Sequence, residues 1–260
     1  MSTNKESLDW YNNNAKEYTA HVRDPKDSVF HSYYEKPAMY SALPNLKNKK
    51  VLSLGCGSGE DSQYLKNLSA AESVGIDISN GMIKIASNSY PKCVFKTMDM
   101  EDLSFDNESF DFIYSSLAIH YIEYWDKVLS EVYRVLKPSG YFLFSCNHPV
   151  NFAMEISKKS GIVKKEMSIT RIKNTDNITV IGDYLSHKSY DNKDWPVRTW
   201  SKPIGEISEE IYNAGLVIRE IIEPKPQPEM KKVSVKNYKK LSKIPAFIIF
   251  KLQKPPILPK

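Results

Sequence analysis

Three of the ten glycines in this 260-residue chain, Gly55, Gly57 and Gly59, fall within five positions of the segment LGCGSGE. They follow VLSL, a short apolar run typical of a buried parallel strand. Because glycine has no Cβ, such a turn lets backbone amides approach a ligand closely. Asp77 follows 22 residues after Gly55, at the end of the next predicted strand, where a carboxylate can accept both hydroxyls of a ribose. The pattern indicates a site for a nucleoside-type cofactor.

The spacing of these glycines also constrains the cofactor. Position 60 is Glu, so the spacing is GxGxG and not the GxGxxG of dinucleotide enzymes. An acidic side chain facing a pyrophosphate would be repelled electrostatically. A cofactor without phosphate groups therefore fits this turn better.

Two of the five histidines, His120 and His148, lie just past the ends of the fourth and fifth predicted strands. This is the rim where open α/β sheets bind ligands, and histidine is the natural base at neutral pH. Both are therefore candidates for removing a proton from a bound molecule, although each could instead be a structural histidine. No His, Cys, Asp or Glu cluster has metal-ligand spacing, so we expect no metal site.

Aromatic residues surround one arginine in DWPVRTW, and more follow His120 in HYIEYW. Arg198, Trp200 and Tyr121 are accordingly our candidates for binding a flat or acidic small molecule. A hairpin that packs on itself, or the start of a helix, would account for the same residues.

The predicted elements alternate between strand and helix. Helical periodicity covers 3–23 and 28–43, and Ser79 is positioned to cap a later helix. The predicted strands are 51–55, 73–77, 93–97, 110–116 and 141–146, with helices at 61–68, 82–87 and 125–136. Such alternation implies right-handed βαβ units and a doubly wound parallel sheet.

Two further strands, 215–222 and 244–252, follow a helix at 204–214. The Pro- and Lys-rich segment between them does not resemble a crossover helix, so we expect the pair to be antiparallel at the sheet edge. The predicted fold is thus a seven-stranded, mostly parallel, Rossmann-like α/β sheet with N-terminal helices and an inserted cap. The expected divisions are a helical cap (1–45), a cofactor-binding core (46–150), an inserted substrate cap (151–203) and the rest of the sheet (204–260).

Composition excludes several classes of protein. With 41% hydrophobic and 26% charged residues, disorder is not the dominant state. No apolar run reaches the length of a membrane span, and the first residues show no signal-peptide core. Three cysteines in irregular positions suit neither a disulfide framework nor a zinc cluster, so we expect a cytoplasmic protein without membrane partners.

Charge is distributed unevenly along the chain. Residues 224–260 contain ten lysines and one acid, a net charge of +9, whereas the remainder carries −4. A lysine run of this kind could bind nucleic-acid phosphates, but it is more often a solvated surface. Nucleic acid is therefore a possible partner but not the expected one.

Four segments, in order and at family spacing, resemble the class I S-adenosylmethionine-dependent methyltransferases of the small-molecule type with a ubiquinone-biosynthesis-like core. They are VLSLGCGSGE (51–60), VGIDIS (74–79), MDMEDLSFDNESFDFIYSS (98–116) and EVYRVLKPSGYFLFS (131–145). The resemblance implies S-adenosyl-L-methionine as cofactor and S-adenosyl-L-homocysteine as product.

By position, the resemblance assigns cofactor contacts along the sheet rim. The amino-acid end of the cofactor would be lined by Gly55, Cys56 and Gly57. Asp77 would hold its ribose, and Ile78 and Met82 would pack on its adenine. Further contacts are implied for Asp99, Met100, Ser115, Ser116 and Leu117. The N-terminal stretch WYNNNAKEYTAHV resembles the family's cofactor-covering helix, so that Tyr11 and Tyr18 could reach the methionine carboxylate.

One position departs from the family. Ser53 stands two residues before the first glycine, where the family usually has an acid that helps to hold the ammonium group of the cofactor. The leading hypothesis is methyl transfer to a small-molecule acceptor. The alternatives are a tRNA or RNA methyltransferase that uses the Lys-rich segment, and a non-catalytic cofactor-binding partner subunit.

Overall fold

The structure, a computed structural model, describes residues 5–159, 162–171, 173, 178–192 and 195–256. Its strands are β1 (Lys50–Leu54), β2 (Glu72–Asp77), β3 (Val94–Thr97), β4 (Phe110–Ser115), β5 (Leu136–Asn147), β6 (Glu155–Lys159), β7 (Ile162–Glu166), β8 (Ser168–Arg171), β9 (Ile178–Ile181), β10 (Lys188–Asp191), β11 (Arg198–Ser201), β12 (Val217–Ile222) and β13 (Phe247–Gln253). Its α-helices are α1 (Lys5–Asn13), α2 (Ala15–Arg23), α3 (Lys36–Ser41), α4 (Glu60–Asn67), α5 (Asn80–Ser89), α6 (Asp126–Val135), α7 (Pro149–Ala153), α8 (Ile204–Asn213), α9 (Met230–Val233) and α10 (Val235–Leu241). A π-helical turn (His31–Glu35) precedes α3, and a 3₁₀ turn (Ile119–Tyr121) follows β4.

Seven strands form one sheet in the order β12-β13-β5-β4-β1-β2-β3. The five strands from β5 to β3 are parallel, and β13 pairs antiparallel with both β5 and β12. The predicted fold class, with its two antiparallel strands at the edge, is therefore confirmed.

The sheet is covered on both faces because successive side chains of a strand point to opposite sides. Leu52 of β1 faces a core shared with α6 and α8, while Val51 faces a second core shared with α3 and α4. Ser79 caps α5 as predicted, with its hydroxyl oxygen accepting from Met82 N at 3.2 Å. Among the described residues, no helix has the length and apolarity needed to cross a membrane.

The predicted helix over 3–23 is interrupted, since α1 ends at Asn13 and α2 begins at Ala15. Asparagine side chains compete with the backbone for hydrogen bonds, and Asn14 Nδ2 donates to the Trp10 carbonyl at 2.9 Å. Asn12 is also occupied, because its Oδ1 accepts from Ser79 Oγ at 2.9 Å and from Gly81 N at 3.2 Å. The hydrogen bonds of Asn12 therefore tie the N-terminal helices to the start of α5.

The last two strands are antiparallel, as expected for a connection without a crossover helix, but the joining segment does contain short helices that the sequence analysis did not predict. The joining segment contains α9 and α10, and Ser234 caps α10 by accepting from Asn237 N at 3.3 Å. These helices are only four and seven residues long, too short to show a clear helical period in the sequence. The antiparallel pairing of the strands is unaffected.

The described residues of the inserted segment 151–203 include three two-stranded ribbons, which pair β6 with β7, β8 with β9, and β10 with β11. The last ribbon contacts the N-terminal helices, since Arg198 N donates to Ser7 Oγ at 3.0 Å. Trp195 stacks on Trp10 with ring centroids 5.0 Å apart. The division of the chain into four parts at 45, 150 and 203 remains a prediction.

Candidate active site

The glycine-rich turn after β1 needs glycine for two reasons. Gly55, Gly57 and Gly59 all have positive φ, at 61°, 53° and 93°. A Cβ on Gly55 would also lie 2.4 Å from the Cβ of Ala118, closer than two carbon atoms can approach. At Gly57, by contrast, a Cβ would meet no atom within 4 Å. The turn is therefore held closely at its start and leaves open space beside its second glycine.

Asp77, at the end of β2, is fixed against this turn. Its Oδ2 accepts from Gly57 N at 2.9 Å and its Oδ1 from Ser79 N at 2.8 Å. Burial raises the pKa of this carboxyl, although the two N–H donors act against that rise. Each oxygen keeps a further lone pair, so the carboxylate can still accept hydrogen bonds from a ligand.

A first cavity opens at the carboxyl ends of β1, β2 and β4. Most of the residues proposed for cofactor binding line it, together with Tyr121: Tyr11, Tyr18, Gly55, Gly57, Asp77, Ile78, Met82, Asp99, Met100, Ser116 and Leu117. These residues come from distant parts of the chain, and the fold brings them together around one space.

Cys56 and Ser115, also predicted to bind the cofactor, do not line this cavity. Cys56 N donates to the Ile76 carbonyl at 2.8 Å, and burial raises the pKa of its thiol well above the ordinary value. The Ser115 hydroxyl donates to the Leu54 carbonyl at 3.1 Å. The Cys56 backbone and the Ser115 side chain therefore tie the start of the turn to the neighbouring strands.

Tyrosines from three elements form the outer wall. Tyr11 and Tyr18 pack edge to face with centroids 5.1 Å apart, and Tyr11 Oη lies 2.6 Å from Tyr121 Oη. These three tyrosines and Leu117 also line a second cavity, of about 390 Å³. The two cavities thus share a wall.

The second cavity is lined largely by rings. Besides the shared tyrosines, its rings belong to Phe152, Tyr190, Trp195, Phe247, His21, His31 and His120. It contains one acid, Asp191, whose carboxylate pairs with Arg198 at 2.8 Å. The walls are therefore mainly aromatic and carry little unbalanced charge.

Neither of the histidines predicted as bases presents an open basic nitrogen. His120 lines the second cavity, but its Nδ1 accepts from Asn147 N at 3.3 Å, so the neutral ring carries its proton on Nε2. Burial lowers the pKa of His120 to about 3. His148 lines neither cavity. Both of its ring nitrogens also have partners, since Nδ1 accepts from Val150 N at 3.1 Å and Nε2 lies 3.1 Å from Glu223 Oε1.

His31 is the site residue that the sequence did not single out. It stands on the π-helical turn and lines the second cavity. Among the described residues, no hydrogen bond occupies either of its ring nitrogens, and burial lowers its pKa to about 4. Its position in the covering segment was the one available signal, and π-helical turns are frequent at functional sites.

The structure separates the other two candidates for substrate binding from both cavities. The Arg198 guanidinium is turned to Asp191, and the Trp200 ring packs edge-on against His187 with centroids 5.5 Å apart. Within the described residues, no group of three or more His, Cys, Asp or Glu side chains is arranged to hold a metal ion.

Comparison of the sequence with known proteins relates this chain to methyltransferases. Residues 52–144 match the family model of the methyltransferase domain. An uncharacterized protein of Haemophilus influenzae is 31% identical over 236 residues, which cover 85% of this chain and 87% of that protein. A phthiotriol/phenolphthiotriol dimycocerosates methyltransferase of Mycobacterium leprae is 36% identical over 110 residues, and the match spans only 41% of its length and 41% of this chain.

Solved structures share the fold. The S-adenosylmethionine-dependent methyltransferase of Mesorhizobium loti has a TM-score of 0.68 at 23% identity, over 88% of this chain and 99% of that one. An S-adenosylmethionine-dependent methyltransferase of Clostridium acetobutylicum has a TM-score of 0.58 at 17% identity, over 92% of this chain and 98% of that one.

Proposed function

The chain belongs to the class I S-adenosylmethionine-dependent methyltransferases, and we propose that it methylates a small molecule bound in the second cavity. The observation that carries this proposal is the wall shared by the two cavities, formed by Tyr11, Tyr18, Leu117 and Tyr121. A cofactor in the first cavity and an acceptor in the second would meet at this wall. Methyl transfer is an in-line displacement, which depends chiefly on such alignment.

The first cavity suits the proposed cofactor. The Asp77 carboxylate has lone pairs for two ribose hydroxyls, and Ile78 with Met82 offers apolar surface for the adenine. Asp99 and Met100 would meet the adenine edge, whereas Gly55, Gly57, Ser116 and Leu117 would meet the methionine part. The cofactor supplies an activated methyl group, so the main tasks of the protein are to orient this group toward the acceptor and to exclude water.

The second cavity favours a flat and largely uncharged acceptor. Its aromatic walls can stack on a ring, and Asp191, already paired with Arg198, leaves no unbalanced charge to attract an ionic group. The His120 Nε2–H can donate a hydrogen bond to an oxygen or nitrogen of the acceptor. The mycobacterial relative is named for methylating phthiotriol and phenolphthiotriol dimycocerosates, which are not nucleic acids.

Where the acceptor must lose a proton, His31 is the proton acceptor in this proposal. The ring faces the second cavity with its nitrogens open, unlike His120 and His148. A hydroxyl or amine becomes strongly acidic as its new bond to carbon forms, so a base with a low pKa is sufficient. The proton would pass to the imidazole and then to water.

An RNA acceptor is the alternative raised by the Lys-rich segment. Lys231, Lys232, Lys236, Lys239 and Lys240 are all exposed on α9 and α10. The exposed large apolar residues among them are Val233 and Val235, which cannot stack on bases, and the one ring on these helices, the half-buried Tyr238, has Lys231 Nζ 4.5 Å from its centroid. The segment therefore adds positive charge with little of the exposed aromatic surface that RNA binding commonly uses.

Calorimetric titration with S-adenosylmethionine and S-adenosylhomocysteine tests the cofactor half of the proposal. We expect both ligands to bind the native chain and an Asp111→Ala control, and neither to bind Asp77→Ala. Asp111 is a matched control because its carboxylate also accepts a backbone N–H, from Lys50 at 2.9 Å, but outside the first cavity. A folded native chain that binds neither ligand would contradict the proposal.

The acceptor half is tested by release of S-adenosylhomocysteine in the presence of phenols, flat amines, small carboxylic acids and total tRNA. We expect turnover with a flat neutral compound. Turnover with tRNA alone, lost when Lys231, Lys232, Lys239 and Lys240 are changed to Gln, would overturn the small-molecule assignment.

A further inference from the structure

Glu35 is a fully buried carboxylate that joins the N-terminal helices to the sheet. It ends the π-helical turn, and its side chain is 0% exposed. Its Oε1 accepts from the Ser116 hydroxyl at 2.9 Å and from the Ser145 hydroxyl at 2.5 Å. Both serines lie more than 80 positions away in the chain, so this is a long-range tertiary connection.

The same two serines connect Glu35 to the loop that follows β4. Ser116 belongs to this loop, and Leu117 N donates to Ser145 Oγ at 2.9 Å. Leu117 has a φ of +49°, which is unfavourable for a residue with a branched side chain and must be held by its surroundings. Ser116, Leu117 and Ala118 all line the first cavity, and Leu117 lines the second as well. Glu35 is therefore connected to both cavities by hydrogen bonds through this loop.

The surroundings of Glu35 leave its charge poorly compensated. Lys36 is the nearest cation in sequence, but its Nζ pairs with the carboxylate of Asp61 at 3.2 Å and not with Glu35. The Tyr40 hydroxyl also donates to Asp61, at 2.6 Å. Tyr114, on β4, is the other titratable group that faces Glu35. Among the described residues, Glu35 Oε2 has no hydrogen-bond partner.

Burial, reinforced by Asp61, raises the pKa of Glu35 to about 7. Hydrogen bonds that end on a charged acceptor are about twice as strong as neutral ones. The two serines are therefore held more firmly when Glu35 is ionised than when it is protonated.

We propose that Glu35 is a positioning residue for the cofactor, which through Ser116 and Ser145 holds the loop from Ser116 to Ala118 in its binding shape. Uptake of a proton by Glu35 loosens this hold. The inference rests on the proposed binding of the cofactor in the first cavity. It assigns a role to a carboxylate that lines neither cavity.

The test compares Glu35→Ala and Glu35→Gln with the native chain in titrations with S-adenosylhomocysteine at pH 6.0 and 8.5. We expect Glu35→Ala to weaken binding about tenfold at pH 8.5, since both serines lose their acceptor. Glu35→Gln keeps one carbonyl oxygen for the two serines, so it should bind within about threefold of the native chain. Native binding should weaken from pH 8.5 to 6.0, and binding by Glu35→Gln should not.

Glu131→Gln is the matched control. The Glu131 carboxylate likewise accepts a hydrogen bond from a distant part of the chain, from Leu103 N at 2.8 Å, but it pairs with Arg134 and lines neither cavity. We expect this variant to keep the native affinity and its pH dependence.

A second readout needs no ligand. The Leu117 amide resonance should shift with pH around neutrality in the native chain and stay constant in Glu35→Gln, because this amide donates to Ser145. Unchanged affinity in a folded Glu35→Ala variant, or a Leu117 resonance that titrates equally in Glu35→Gln, would overturn the inference. Failure of the native chain to bind S-adenosylhomocysteine, with the Leu117 titration intact, would instead contradict the proposed function.

Discussion

The hydroxyls of Tyr11 and Tyr121 lie 2.6 Å apart although the residues are separated by 110 positions. Tyr11 belongs to the first helix and Tyr121 to the 3₁₀ turn after β4, and both residues line both cavities. This hydrogen bond closes the wall across which the proposed methyl transfer takes place. It also fixes the N-terminal helices to the rim of the sheet.

Removing either hydroxyl should loosen this wall. We expect Tyr11→Phe and Tyr121→Phe each to weaken binding of S-adenosylhomocysteine by about fivefold, since a hydrogen bond contributes about 1 kcal/mol. The double variant should lose little more than either single one, because the two changes remove the same bond. Calorimetry measures this cycle, and Tyr124→Phe, whose ring is 57% exposed and lies outside both cavities, is the control. Fully additive losses would show that the two hydroxyls act separately.

Gly55→Ala should abolish cofactor binding and destabilise the fold. The new Cβ would meet Ala118 at 2.4 Å in a backbone with a φ of +61°, so we expect a loss of about 2–4 kcal/mol in the free energy of unfolding. Urea denaturation provides the measurement. Gly205→Ala on α8 is the control, because a Cβ there meets no atom within 4 Å and should stabilise the helix by about 0.5 kcal/mol. Native stability in Gly55→Ala would show that the turn can rearrange.

Glu35 should make the fold less stable as the pH rises. Its pKa is raised by burial to about 7 in the folded state, so the folded chain binds the extra proton between about pH 4.5 and 7. Its stabilising contribution is complete below pH 4.5 and is lost as the pH rises through 7. Relative to the native chain, Glu35→Gln should therefore gain up to roughly 3 kcal/mol between pH 5 and 8.5 in urea denaturation. Parallel pH dependences would assign the effect to other groups.

His120 should produce the opposite dependence. Burial lowers its pKa to about 3, so between about pH 6.5 and 3 the unfolded chain takes up a proton that the folded chain does not. Stability is therefore lost as the pH falls below 6.5. His120→Asn should remove about 2 kcal/mol of the native loss between pH 7.5 and 5, as measured by urea denaturation. An equal loss in the variant would contradict the buried, neutral state of this ring.

Lys202 and Glu210 form a buried ion pair whose two partners should depend on each other. Lys202 Nζ lies 2.7 and 2.6 Å from the two oxygens of Glu210, and its side chain is 1% exposed. Lys202→Met leaves a buried negative charge, so we expect a loss of about 3–5 kcal/mol in the free energy of unfolding. The double variant with Glu210→Gln should recover most of this loss, since Gln still accepts from Trp125 N. Thermal denaturation of the four chains tests the pair.

The sequence predicted which segments form the seven strands of the sheet, because strand formation depends largely on local patterns. An apolar run ending in glycine, a capping serine and a period of two or 3.6 residues are all readable within a few positions. Most of the residues that the family resemblance assigned to the cofactor line one cavity, since parallel strands end at the same edge of a sheet. The breaks near Asn14 and the short helices after Met230 escaped prediction because they depend on individual side-chain hydrogen bonds.

The sequence by itself determined the fold class and the place of the glycine turn and Asp77 at the rim of the sheet. Only the tertiary structure decided which side chains are available for chemistry. The Nδ1 of His120 accepts a hydrogen bond from the amide of Asn147, and the Arg198 guanidinium forms an ion pair with Asp191. His31 keeps its nitrogens open toward the cavity, and Glu35 reaches serines more than 80 positions away. The physical reason is that the availability of a polar group depends on the partners that folding brings to it, and distant segments supply many of them.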